Sequence, residues 1–300
     1  MGSAVAQARV MLVLTMLFWG GNAVAGKLAV GEVSPFLLSW FRWTIAALVL
    51  GAFAWPHLRR DWRTIRARLP YFVAMGALGF TVFNGLLYYA LISTTAINAT
   101  IIQAAMPMFI FALNFVIYRT TATPWQILGY TLTLAGVAVA AGRGDLLGLA
   151  GLDFNLGDVL MIVATVIYAA YSVALRQKPQ VHWLGFVAML VGIGSLASLP
   201  FVALEALTGT FIWPRTSLAW TVIVYAAVFP SIVAQAFFIR GIEVLGSNAG
   251  GLYLNLMPIM GALLSIALLG ERFHLFHAAA LVLVLGGIAL AQRRRAPAHS

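Results

Sequence analysis

Long apolar runs, separated by short polar connections, are the dominant pattern of this 300-residue chain. A helix that crosses about 30 Å of hydrocarbon at 1.5 Å per residue needs about 20 apolar residues. By that measure the pattern predicts ten spanning helices, at 10–30, 34–55, 71–92, 96–117, 124–142, 156–176, 183–206, 218–240, 248–269 and 274–291. Because most connections are short, consecutive helices are expected to be antiparallel neighbours.

Basic residues alternate between the connections in a regular way. In a ten-span arrangement thirteen of them fall on one side: Arg9, Arg59, Arg60, Arg63, Arg66, Arg68, Arg119, Arg176, Lys178, Arg240, Arg293, Arg294 and Arg295. Acidic residues collect on the other side: Glu32, Asp145, Asp153, Glu205 and Glu271. The positive-inside rule therefore predicts that both termini are cytoplasmic. The membrane itself is expected to be the inner (plasma) membrane of a bacterium.

The second half of the chain repeats the layout of the first. Met106-Pro107 lies in the middle of an apolar run, and a shift of 151 residues places it on Met257-Pro258. We therefore predict two five-helix repeats, 1–142 and 156–291, followed by a basic cytoplasmic tail, 292–300. Five is an odd number, so the second repeat must enter the membrane from the opposite side. Inverted repeats of this kind are typical of transporters with a central site and alternating access.

Composition restricts the class of protein and its partners. Hydrophobic residues make up 62% of the chain and charged residues 9%, whereas soluble domains carry about 25% charged residues. The net charge of +10 is distributed over alternate loops, which disfavours a nucleic-acid partner. We expect a lipid-embedded monomer with a small-molecule substrate. The chain has no cysteine, and no cofactor or metal is expected.

Polar residues within the predicted spans are the candidate site. Phe80, Asn84 and Tyr88 share one face of the third helix, and Ser231 and Gln235 share one face of the eighth. The 151-residue shift relates Asn84 to Gln235. These residues either line a central cavity or hydrogen-bond between helices.

The remaining substrate-binding candidates are amide and aromatic side chains of other spans: Trp19, Asn22, Gln103, Tyr168, Tyr253 and Asn255. The aromatic ones either stack on a substrate or pack the bundle. Pro107 and Pro258 are candidate helix-break or gating positions, since proline frees a carbonyl in the preceding turn; they could also only kink their helices.

Charged candidates are few. Lys27 could pair with a substrate carboxylate, although a snorkelling or structural role is favoured. Arg42 is interpreted as structural, with a partner such as a helix C-terminal carbonyl. His274 and His277 are interpreted as a solvated helix end. Because no Asp or Glu lies near the middle of any span, the pocket is predicted to carry no charge at its centre, which disfavours proton-driven export of cations.

Several of these motifs, taken in order, resemble one family. They are FWGGNAVAGK in the first helix, Phe41-Arg42-Trp43, the two proline-centred helices and Leu268–Phe273 (LLGERF). Together they resemble the EamA branch of the drug/metabolite transporter superfamily, and in detail its aromatic and neutral amino-acid exporters. The resemblance implies export of amino acids or similar small metabolites, not catalysis. A proton-coupled multidrug exporter, with Asp158 or Glu205 as the exchanging carboxylate, and a membrane-embedded enzyme or lipid-handling protein are the alternatives.

Overall fold

The structure, a computed structural model, describes residues 2–119, 123–144, 155–245 and 253–291. Within these ranges the chain is helical and contains no strand. Its apolar helices are α1 (Gly2–Leu28), α2 (Pro35–Ala67), α3 (Leu69–Ser93), α4 (Ala96–Tyr118), α5 (Pro124–Ala141), α6 (Leu156–Gln177), α7 (Trp183–Leu207), α8 (Ser217–Leu245), α9 (Leu256–Leu269) and α10 (Leu275–Ala291).

Eight of these helices, α1 to α8, are long and apolar enough to cross a membrane. The protein is therefore a multi-pass membrane protein, as predicted. The last two, α9 and α10, are apolar but shorter than 18 residues. The start of the predicted span 248–269 and the predicted tail 292–300 lie outside the described residues. The arrangement as ten spans in two repeats stays a prediction.

Helix α2 runs further than the sequence pattern predicted. The apolar span was predicted to end at residue 55, whereas the helix continues through Pro56 to Ala67. The arginine-rich extension has an apolar stripe: Ile65 is buried against Phe72 and Phe186. One-sided burial of this kind stabilises a helix that is otherwise polar, and the hydropathy of the segment as a whole does not reveal it.

Contacts between connections define two ends of the bundle. At the acidic end, named for Glu32, Glu205 and Glu271, Glu205 accepts from Phe36 N and Glu271 accepts from Ala96 N. At the arginine end, formed by the α2 extension and the α6–α7 connection, Asp61 Oδ2 accepts from His182 N at 2.7 Å. Among the described connections, those after α1, α3, α7 and α9 meet at the acidic end, and those after α2 and α6 meet at the arginine end.

A stacked histidine pair joins the two connections at the arginine end. The rings of His57 and His182 are parallel, with centroids 3.6 Å apart. Desolvation and the neighbouring His57 and Arg60 side chains lower the pKa of His182. The neutral ring can then accept from Leu184 N at the start of α7.

Small residues bring α5 and α10 into close contact. A Cβ atom added at Gly129 would lie 2.4 Å from Gly287 O, and one at Gly287 would lie 2.4 Å from Gly129 O. The sequence predicts close packing of these helices from Gly129, Thr133, Gly287 and Ala291. That prediction is confirmed.

Candidate functional site

A cavity of about 380 Å³ lies at the centre of the bundle. Its walls come from all the helices except α5 and α10, and it extends from the middle of the bundle toward the arginine end. Ten of the predicted residues line it: Trp19, Asn22, Phe80, Asn84, Gln103, Pro107, Tyr168, Ser231, Gln235 and Asn255. Gln235 and Pro107 are exposed. The structure thus brings most of the predicted site residues, from five helices and from the residue before α9, to one cavity.

Four predicted residues lie outside this cavity lining. The Tyr88 side chain is buried, and its hydroxyl accepts a hydrogen bond from Arg42 Nη1. Pro258 lies in α9 and Tyr253 lies three residues before α9 begins; neither lines the cavity. Lys27 lies at the acidic end, where its Nζ donates to Leu91 O at 2.7 Å and Thr94 O at 2.8 Å. Its ammonium group holds the C-terminal carbonyls of α3.

Arg42 lies in the wall of the cavity, and the prediction that the pocket has no central charge is wrong. Its side chain is buried, and its expected partner, a helix C-terminal carbonyl, is not what the structure shows. Nε donates to Ser231 Oγ at 2.7 Å. Nη1 is shared among Asn84 Oδ1 at 2.7 Å, Tyr88 Oη at 2.8 Å and Asn22 Oδ1 at 3.0 Å. The guanidinium group, carried by α2, therefore hydrogen-bonds to side chains of α1, α3 and α8.

The acceptors around Arg42 are held in place by bonds of their own. Ser231 Oγ donates to Ala226 O, Asn84 Nδ2 donates to Phe80 O, and Tyr88 Oη donates to Asn22 Oδ1. Each acceptor therefore has its oxygen turned toward Arg42. Such a connected network rigidifies a buried polar site.

Two cavity-lining helices change to a wider helical turn beside this cluster. The segments Ala77–Val82 of α3 and Phe229–Val233 of α8 are π-helical. The 151-residue shift places the α3 segment on residues 228–233, which is nearly the same range as the π-helical segment of α8. Indole groups bond to carbonyls in both segments: Trp43 Nε1 donates to Phe80 O at 2.9 Å and Trp19 Nε1 to Pro230 O at 3.0 Å. π-Helical turns occur frequently at functional sites, and the polar pattern alone carries no signal for them.

Two proline-containing segments, in α4 and at the start of α9, have an irregular turn where they meet the cavity. In α4 the helix is interrupted at Ala105, two residues before Pro107. In α9 Leu256 has a similar backbone conformation, two residues before Pro258. The 151-residue shift relates Ala105 to Leu256. Met106 and Met257, which begin the following helical segments, both line the cavity.

Aromatic rings form the apolar part of the cavity wall. The rings of Trp19 and Phe238 are 5.2 Å apart, and those of Phe83 and Tyr168 are 4.7 Å apart. Sequence reasoning did not place in the site the following lining residues: Arg42, Trp43, Phe83, Tyr171, Ser172 and Phe238. The helical spacing of Phe238 from Gln235 and Ser231 was a usable signal for one of them.

The buried carboxyl groups lie at the acidic end, outside the cavity lining. Glu205 Oε1 and Oε2 accept from Phe36 N and Leu37 N at the start of α2. Asp158 Oδ1 accepts from Thr94 Oγ1 and from Asn98 Nδ2. Neither group is positioned to contact a molecule in the cavity.

Histidines do not form a candidate metal site in the described part of the chain. His277 is buried, contrary to the prediction of a solvated end, and its Nδ1 accepts from His274 N at 3.0 Å. No cluster of three His, Asp or Glu side chains suitable for a metal ion occurs among the described residues.

A model of the EamA-like transporter family matches residues 7–142 and, separately, residues 155–292. The chain belongs to the EamA-like transporter family. It is therefore a membrane transporter.

Relatives of this EamA-like protein align over nearly their whole length. The uncharacterized transporter YetK of Bacillus subtilis (strain 168) is 26% identical, over 94% of this chain and 85% of its own. An uncharacterized transporter of Archaeoglobus fulgidus is also 26% identical, over 93% of this chain and 95% of its own. A solved structure titled only as the crystal structure of a protein has a TM-score of 0.63 at 22% identity, covering 96% of each chain. That likeness shows the fold alone.

Proposed function

We propose that this protein exports amino acids, aromatic or neutral, or similar small metabolites across the bacterial inner membrane. The observation that carries the proposal is the central cavity, whose wall combines aromatic rings with amide and hydroxyl groups from six helices. Such a wall suits a small molecule with one apolar part and one polar part. Membership of the EamA-like family supports transport, and the choice of amino acids follows from the motif resemblance and the lining chemistry.

Alternating access between two inverted five-helix repeats is the proposed mechanism. Three correspondences under the 151-residue shift support it: Asn84 with Gln235, the two π-helical segments, and the two irregular turns before Met-Pro. The two separate matches to one family model support it as well. Inverted repeats allow the two halves to exchange conformations, which opens a central site to each side in turn.

The described conformation is proposed to open to the cytoplasm. The cavity extends toward the arginine end, and the positive-inside rule assigns that end to the cytoplasm. Toward the acidic end Leu87, Leu91, Ile97 and Ile101 are almost completely buried, and the pocket of about 320 Å³ at that end shares no lining residue with the central cavity. An exporter would receive its substrate in this state.

Uptake of labelled amino acids into proteoliposomes tests this function. Aromatic and neutral amino acids are expected to enter faster than into empty vesicles and to show saturable counterflow, which a channel does not produce. If no amino acid exceeds the empty-vesicle rate, the proposed substrate class is wrong.

Two variants test the assignment of the cavity. Gln235 has no hydrogen-bond partner among the described residues, so Gln235→Ala is expected to reduce transport without reducing thermal stability. Asn84 bonds Arg42 and Phe80 O, so Asn84→Ala is expected to reduce transport and also to cost about 1–3 kcal/mol of unfolding free energy. If both variants transport like the parent, the cavity does not bind the substrate.

A further inference from the structure

The guanidinium group of Arg42 has only neutral partners. Arg42 is 5% exposed, and its acceptors are two amide oxygens and two hydroxyl groups. Among the described residues, no carboxylate lines the cavity, and the ion pairs are Arg60–Asp61 and Arg240–Glu243, which involve exposed arginines. A buried charge without a counter-charge is costly, and the described residues supply no counter-charge to Arg42.

Two hydrogen-bond donors of Arg42 and its acceptors have no partner among the described residues. Nε and Nη1 of Arg42 are occupied, whereas Nη2 has no partner among the residues that the structure describes. Asn22 Oδ1 accepts from both Arg42 Nη1 and Tyr88 Oη, which turns its Nδ2 amide group away from them. Nδ2 likewise has no described partner. Asn22 is 7% exposed, and both residues line the cavity.

We propose that Arg42 Nη2 and Asn22 Nδ2 bind the carboxylate of the transported molecule. This inference rests on the proposed function and refines its substrate class. A carboxylate accepts hydrogen bonds from both donors and neutralises the single buried charge. A doubly charged phosphate would leave a net negative charge in the same apolar surroundings. The ligand is therefore a monocarboxylate.

The rest of the cavity wall indicates which chemical groups the ligand carries besides its carboxylate. Trp19, Phe83, Tyr168 and Phe238 offer apolar and aromatic surface, which suits an apolar or aromatic substituent. An ammonium group finds no carboxylate partner among the described lining residues. A carboxylate is thus required, and an amino group is dispensable.

A matched series of phenyl compounds tests this requirement by binding. The ligands are 3-phenylpropionate, phenylalanine, phenethylamine and phenyl phosphate, added to the full-length protein in detergent. Tryptophan fluorescence reports binding because Trp19 and Trp43 line the cavity. We expect 3-phenylpropionate and phenylalanine to bind at least about tenfold more tightly than phenethylamine. Equal or tighter binding of phenethylamine, or a preference for phenyl phosphate, overturns the proposal.

Asn22→Asp is the most discriminating variant. It removes the Nδ2 donor and places a carboxylate where Oδ1 now lies, 3.0 Å from Arg42 Nη1. We expect it to raise thermal stability, to weaken 3-phenylpropionate binding at least about tenfold, and to leave phenethylamine binding unchanged or tighter. If the variant keeps the parent's preference for the carboxylate, Arg42 has a structural role only and the proposal is wrong.

Gln126→Glu is the matched control for this charge change. Gln126 lies at the start of α5 in a capping arrangement with Thr123, remote from the cavity lining, and Glu preserves that arrangement. The control is expected to bind like the parent.

The test separates this inference from the proposed function. Tight binding of 3-phenylpropionate that Asn22→Asp weakens, without amino-acid transport, would support the carboxylate site and reject the amino-acid substrate. Amino-acid transport that phenethylamine and 3-phenylpropionate inhibit equally would support the proposed function and reject the carboxylate site.

Discussion

Lys27 and Arg42, two basic residues within predicted spans, have different surroundings. Lys27 donates to the backbone carbonyls of Leu91 and Thr94, which the end of α3 leaves without helical partners. Arg42 lines the cavity and bonds to side chains from α1, α3 and α8, and its Nη2 has no partner among the described residues. The first contact completes a helix end, whereas the second leaves a charge available to a ligand.

Replacing Lys27 distinguishes these roles. Lys27→Met removes two charge-assisted hydrogen bonds, so we expect a loss of about 1–3 kcal/mol in unfolding free energy and an unchanged KM for transport. Thermal unfolding and counterflow kinetics measure the two effects. Lys27→Arg, which keeps the charge, serves as the control. A KM that rises at least about tenfold at unchanged stability would instead show that Lys27 binds the substrate carboxylate.

At the scale of helices, charges at the acidic end match the helix dipoles. Glu205 and Glu271 accept from the first backbone N–H groups of α2 and α4, where the dipole favours negative charge. Lys27 occupies the C-terminus of α3, where the dipole favours positive charge. Because water is scarce near the bilayer core, satisfying these terminal groups within the protein stabilises the turns that close this end.

The close contact between α5 and α10 requires glycine, without a side chain, at the contact positions. Gly287 lies in this contact and its neighbour Gly286 does not, so the two glycines form a matched pair for substitution. Gly287→Val would place its side chain against Gly129 O and Thr133, whereas Cβ at Gly286 meets nothing within 4 Å. We expect Gly287→Val to lower the thermal unfolding temperature and the yield of folded protein, and Gly286→Val to resemble the parent. Similar behaviour of the two variants would show that this helix contact contributes little to stability.

At the scale of the molecule, the cavity and the ends are asymmetric. The cavity lining takes residues from the middle of α3 and α4 and from the arginine-end halves of α6 and α7, and buried side chains such as Leu87 and Leu91 close it toward the acidic end. Binding at Arg42 would therefore occur near the closed boundary, at the inner limit of the cavity. A transport cycle must open this boundary while it closes the arginine end.

Single-cysteine labelling tests this orientation in a protein without native cysteine. Arg63→Cys and Arg215→Cys introduce thiols at exposed positions of the arginine end and the acidic end. A membrane-impermeant maleimide is expected to label the first only from the cytoplasmic side and the second only from the outside. Gln235→Cys should behave like the first. Labelling of Arg63→Cys and Arg215→Cys from the same side would contradict the topology.

Part of the candidate site was predictable from single residues. Asn22, Asn84 and Gln235 are polar side chains in apolar helices, and the cost of burying them makes such residues candidates wherever they occur. The role of Arg42 was not predictable in this way. Its interpretation depends on which acceptors surround it, and these come from helices distant in sequence. The π-helical segments also escaped prediction, since they depend on bonds such as Trp43 to Phe80 O.

The sequence by itself determined that this protein lies in a membrane, that most of its apolar runs form spanning helices and that it belongs to the EamA-like transporters. The first two properties follow from local hydropathy, because a lipid environment forces each apolar run to satisfy its own backbone as a helix. The family follows from the order of the sequence motifs and the match of both halves to one family model. Only the tertiary structure decided that Arg42, with neutral partners, lies in the wall of the cavity, and that Lys27 closes a helix end. Those outcomes depend on which helix faces meet, and hydropathy does not encode the pairing of faces.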